Sequence, residues 1–162
     1  MRSGTAALAS AGLLILLSGC ASVVGADGSE AVRDDDGTVV TAGVTDVFAL
    51  HRGDCLRDPG DDRIDDVEVV PCEQEHGLEV FHSFEQSGDR YTSRNTLLAQ
   101  ADAGCEPEFG AVMGIAYGDS ALEYRALVPS EVSWQHGDRT ILCTVHDPTA
   151  SATTGTLMGA AR

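Results

Sequence analysis

The spacing of apolar positions changes several times along this chain, and each change marks an element. Residues 6–17 are apolar apart from Ser10 and Gly12. The run is too short to span a bilayer stably. Residues 21 to about 43 are rich in Gly, Ala, Ser, Asp and Thr, carry the acidic run Asp34-Asp35-Asp36 and lack a periodic apolar face. They read as a flexible tether. Residues 44–50 (VTDVFAL) then have the β-branched and apolar character of a first strand. A turn at residues 51–54 leads to Cys55, and Asp58-Pro59-Gly60-Asp61-Asp62 is a loop. Residues 64–70 (IDDVEVV) read as a second strand ending at Pro71-Cys72. Residues 78–84 (LEVFHSF) alternate, with Leu78, Val80, His82 and Phe84 on one face and Glu79, Phe81 and Ser83 on the other.

The period then lengthens. Thr92 or Ser93 caps a helix whose Leu97, Leu98 and Ala101 share a face. Cys105 falls near the next turn, and Pro107 opens a second helix over Phe109, Val112 and Met113. Residues 122–128 (LEYRALV) alternate as a fourth strand, residues from Pro129 form a short helical turn with Val132 and Trp134, and residues 140–145 (TILCTV) make a last strand. Residues 147–162 lack a pattern and read as a disordered tail. The expected organisation is a signal peptide over 1–19, a linker over 20–43, a domain over 44–146 and the tail. The expected fold is a small α+β domain, an antiparallel sheet with helices packed on one face.

The N-terminus sets the compartment. Met1-Arg2 gives a positive start, the apolar run follows, and Leu17-Ser18-Gly19-Cys20 closes it. This ending resembles a bacterial lipobox, which implies acylation of the Cys20 thiol, cleavage before Cys20 and a lipid anchor on the extracytoplasmic face of the membrane. The remaining 143 residues carry nine basic against 26 acidic side chains, a formal charge of −17. That balance argues against nucleic acid as a partner and against a polybasic membrane contact. Attachment then rests on the lipid, for which two or more acyl chains suffice.

With Cys20 acylated, Cys55, Cys72, Cys105 and Cys143 form an even set allowing three pairings. Cys55 and Cys72 flank an excursion between neighbouring strands, while Cys105 lies on the helical layer and Cys143 on the last strand. The element order favours Cys55–Cys72 and Cys105–Cys143. A four-thiolate metal site is opposed by the absence of a Cys-x-x-Cys pair and by the oxidising compartment.

The pieces Gly53-Asp54-Cys55, Val69-Val70-Pro71-Cys72, Glu75-His76, Glu79-Val80-Phe81, Cys105, Leu127-Val128-Pro129-Ser130 and Trp134-Gln135-His136-Gly137-Asp138-Arg139 before Cys143 stand in one order. Together they resemble the septum formation domain of secreted and membrane-anchored actinobacterial proteins, over about residues 47–145. The family typically has proline before the histidine of its Cys-x-x-x-His segment, where this chain has Glu75. The resemblance implies a role in cell division or envelope biogenesis and no established chemistry.

Candidate chemistry is sparse. His76, which follows Glu73 and Glu75 in a loop fixed by a cysteine pair, is a possible base or ligand, against the simpler reading that its ring bonds local backbone. The histidines His51, His76, His82, His136 and His146 lack tight metal-ligand spacing, and the acidic runs lack an EF-hand pattern. No Gly-x-Ser-x-Gly elbow is present. Trp134 reads as core, and Arg52-Gly53-Asp54 as a coincidental tripeptide. No metal, cofactor or catalytic residue is expected. The reading is a lipid-anchored binding or scaffold module whose partner is an envelope or division protein or a wall component, with Asp54, Glu75, His76, Asp138 and Arg139 as candidate contacts. The alternatives are a wall-acting enzyme using Glu75 or His76 as base, and a passive spacer.

Overall fold

A computed structural model describes residues 29–60 and 66–162. The signal peptide, Cys20, the start of the linker, and Ile64 and Asp65 of the second expected strand lie outside these residues. Strands β1 (Val32–Arg33) and β2 (Val39–Thr41) form a small antiparallel pair. Strands β3 (Gly43–Asp46), β4 (Cys55–Leu56), β5 (Asp66–Val70) and β6 (Leu78–Glu85) come next in the chain. Helix α1 (Arg94–Met113), strand β7 (Glu123–Leu127), helix α2 (Glu131–Gln135) and strand β8 (Thr140–His146) complete the element order. The main sheet runs β3-β5-β4-β6-β8-β7 with every neighbouring pair antiparallel. Its edges are β3 and β7.

Helix α1 lies across β6, β7 and β8. Its buried residues Leu97, Ala101, Cys105, Phe109 and Met113 recur every fourth position, which puts them on one stripe. From Ala101 to Met113 that stripe meets Phe81, Ile141, Cys143 and Val145 of the sheet in one apolar cluster. Cys105–Cys143 bonds the helix to β8 inside it. A second cluster gathers Leu56, Val67, Val69, Leu78, Val80 and Leu142 with Val39 and Leu50. Cys55–Cys72 bonds β4 to the residue after Pro71. Both pairings are those favoured by the element order.

Four expectations are corrected. The two helices are one: Ser93 caps its start by accepting from the Thr96 N–H, Gly114 ends it at φ +80°, and Pro107 lies inside. The apolar stripe runs unbroken past Pro107, so packing outweighs the lost backbone donor. The strict alternation of β6 also fails. A bulge between Val80 and His82 inserts an extra residue, so His82 and Phe84 pair with Cys143 and Ile141 on the α1 side, whereas Leu78 and Val80 join the second cluster. From Ser29 onward the expected tether is folded. Asp34 accepts from the Asp36 and Thr38 N–H groups in the β1–β2 turn, and Val39 is buried.

The fourth correction concerns residues 147–162. They form a strap across the molecule. Thr153 exchanges two backbone bonds with His76, at 2.9 Å each, and Gly155 donates to the Cys72 carbonyl. Leu157 enters the α1 cluster. Gly159 and Ala161 donate to the carbonyls of Val112 and Met113 at the end of α1. These backbone donors satisfy orphan carbonyls at a helix C-terminus.

Candidate functional site

The edge strand β7 leads directly into a helix start, and this junction shapes a groove. Pro129 cannot donate to a ladder, so the strand stops there. Ser130 then caps α2: it accepts from the Ser133 N–H at 2.9 Å, while the Ser133 hydroxyl accepts from the Ser130 N–H at 3.0 Å. The groove holds about 600 Å³. Arg125, Leu127, Val128 and Val132 line it from β7 and α2, Arg94 and Leu98 from α1, and Leu142 from β8. Val132 is 64% exposed.

One ion pair reaches the groove through Arg125. Arg125 donates to both oxygens of Asp58, at 2.6 and 3.3 Å. This holds the Asp58 carboxyl below the ordinary carboxylate range, chiefly through the hydrogen bond. On the α1 side of the sheet, burial pushes the Tyr124 phenol up, aided by its hydrogen bond to Asp102. Ser130 and Ser133 bond each other, and no histidine appears among the described lining residues. The groove therefore offers apolar surface with a few polar anchors, which suits recognition.

The five candidate contacts fall apart in space. Asp54 is buried and accepts two bonds from Arg33, at 2.6 and 2.8 Å, and one from the His51 N–H. It braces the N-terminal strand pair and has no free face for a partner. Asp138 is buried beside the groove, accepting from the Ser133 hydroxyl and the Thr140 N–H. Arg139 is half-buried, with its guanidinium 4.0 Å from the Trp134 ring centre and bonded to the Trp134, Asp138 and Gly88 carbonyls. Asp138 and Arg139 thus position α2. Trp134 is buried, as expected for core.

His76 is 1% exposed. It is not among the residues lining the β7 groove, and its burial keeps the ring from the surface. Glu75 beside it is exposed. Only Asp138 of the five borders the groove. Sequence reasoning missed Arg125, Leu127, Val128 and Val132 as site residues, although the alternating strand broken by Val128-Pro129-Ser130 was a legible signal. It also missed Glu79, which is fully buried and meets the strap. Among the described residues no helix is long and apolar enough to cross a membrane.

A family model described as septum formation matches residues 52–162. No curated protein and no solved structure matches.

Proposed function

The chain belongs to the septum formation family, and on that premise we propose that it is an extracytoplasmic binding module, tethered to the membrane through a lipid on Cys20. The groove along β7 is the observation that carries the binding reading. An edge strand presents unpaired backbone groups, and Leu127, Val128 and Val132 add apolar contacts. An extended segment of an envelope or division protein can lie along such an edge and place alternate side chains in the groove. The folded domain then acts by docking, with no chemical step of its own.

Crosslinking in living cells tests this. A photoreactive residue at position 132 should capture a reproducible division or wall-synthesis protein. The same residue at Val40, half-exposed on β2 and outside the groove, should not. Identical products from both positions, or none from position 132, would sink the docking reading. For the tether, fatty-acid labelling should mark the wild type and vanish in Cys20→Ala. An unlabelled wild type would remove the lipid from the proposal.

A further inference from the structure

We infer that reduction of the Cys55–Cys72 disulfide opens a buried metal site, in which Cys55, Cys72, His76 and Glu79 take a zinc-like divalent cation. Three of the four residues already converge. A sulfur of Cys55, a ring nitrogen of His76 and a carboxylate oxygen of Glu79 all lie within 4.8 Å of one another, and all three residues are buried. Ligand atoms around tetrahedral zinc stand roughly 3.5 Å apart, so small side-chain adjustments close the gap. Cys72 lies outside this group, and its sulfur, bonded to Cys55 in the oxidised state, turns in as the fourth ligand once that bond is broken.

His76 has the marks of a waiting ligand. Its Nδ1 lies 2.9 Å from the Gln74 carbonyl. A carbonyl only accepts, so Nδ1 carries a proton, and in the neutral ring Nε2 keeps its lone pair. That Nε2 is buried and has no partner among the described residues. A metal-bound imidazole has this arrangement, its other N–H held by a backbone carbonyl. A buried acceptor left unmet is otherwise a cost with no return.

Glu79 completes the set. Its carboxylate is fully buried and receives the Thr156 hydroxyl and the Leu157 N–H, both at 2.5 Å. No cation is paired with it among the described residues. The two donors orient the carboxylate and leave further lone pairs for an ion. By contrast, Cys105–Cys143 is surrounded by Phe81, Ala101, Phe109 and Ile141, and it belongs to no group of three metal-ligand side chains among the described residues.

The chemistry balances with a dithiol as reductant. Two electrons pass from the dithiol to the Cys55–Cys72 bond, giving two thiols and leaving the reductant as its disulfide. Binding of the cation as a dithiolate then releases two protons. While the disulfide is intact its sulfurs are poor donors and the site does not form. Each state staples β4 to the residue after Pro71, once through sulfur and once through the ion.

Cobalt(II) serves as the probe on the full chain, treated with a dithiol that is then removed. The reduced protein should bind one cobalt per chain, with thiolate-to-metal charge transfer and the intense visible bands of tetrahedral coordination. The oxidised protein should show neither. The paired substitution Cys105→Ala with Cys143→Ala should keep the signal, and Cys55→Ala with Cys72→Ala should lose it. His76→Ala and Glu79→Gln should each weaken binding at least about tenfold, with folding followed by circular dichroism. Absence of the bands in the reduced wild type overturns the site. So does unaltered cobalt binding in both His76→Ala and Glu79→Gln, which would mean thiolates alone. So does unfolding on reduction that metal does not reverse.

Discussion

Asp54, buried, and Tyr124, half-buried, have polar groups that serve the fold. Removing the Asp54 carboxylate leaves the Arg33 guanidinium, 19% exposed, without its partner. Stranding one member of such a pair typically costs about 3 kcal/mol. Asp54→Ala should therefore lower the urea midpoint by a corresponding amount, and an unchanged midpoint would show that Asp54 is dispensable to the fold. Tyr124 lies among Phe109 and Tyr117, and burial raises its phenol above the ordinary tyrosine range. The folded state thus holds this proton more tightly than the unfolded chain. Stability from Tyr124 is fully present below about pH 10 and is lost as pH rises beyond it. Tyr124→Phe should flatten the alkaline decline in unfolding midpoints between neutral and strongly alkaline pH. An identical decline in the variant would assign it elsewhere. Asp58 works at the opposite end: its lowered carboxyl stabilises the fold above the ordinary carboxylate range, and that contribution fades as pH falls.

At the scale of elements, the contact between α1 and β6 is the tightest constraint. Gly104 lies against the Phe84 ring, and a Cβ there would sit 2.6 Å from the ring's Cε1. Cys105–Cys143, one residue on, holds the helix at that distance. Gly104→Ala should cost about 1–3 kcal/mol through overpacking, measured by thermal or urea unfolding. A neutral result would mean that Phe84 swings clear. Local pattern made most elements legible. The alternation at residues 122–128, the Ser93 cap and the Ser130 start all appear within a residue or two of their expected places. Pro107 concealed the single helix, although the four-residue spacing of Leu97, Ala101, Cys105, Phe109 and Met113 already crossed it. The bulge at β6 was illegible because it depends on register against β8, which no local window contains. The groove was half legible, since the strand break at Val128-Pro129-Ser130 is local but the approach of α1 is not.

The whole molecule depends on contacts between its distant parts. Thr156 meets Glu79 across 77 positions, so the strap has no signature in its own sequence and composition alone makes it look disordered. Leu157 fills a place between α1 and the sheet. Leu157→Ala should cost about 2–4 kcal/mol, and deletion of residues 148–162 should cost more, because the buried Glu79 carboxylate would lose both its donors. Equal stability of the truncated and full chains, read from thermal melts, would refute the strap's role. The strap also sets a timetable for folding. A chain that emerges N-terminus first, from a ribosome or through a secretion channel, exposes β4, β6 and α1 long before Leu157 arrives. Its apolar interior stays unsealed until residue 157 is out. Closure of the fold is thereby delayed, leaving an interval in which chaperones can hold the chain and oxidants can join its cysteines before residues 153–161 dock.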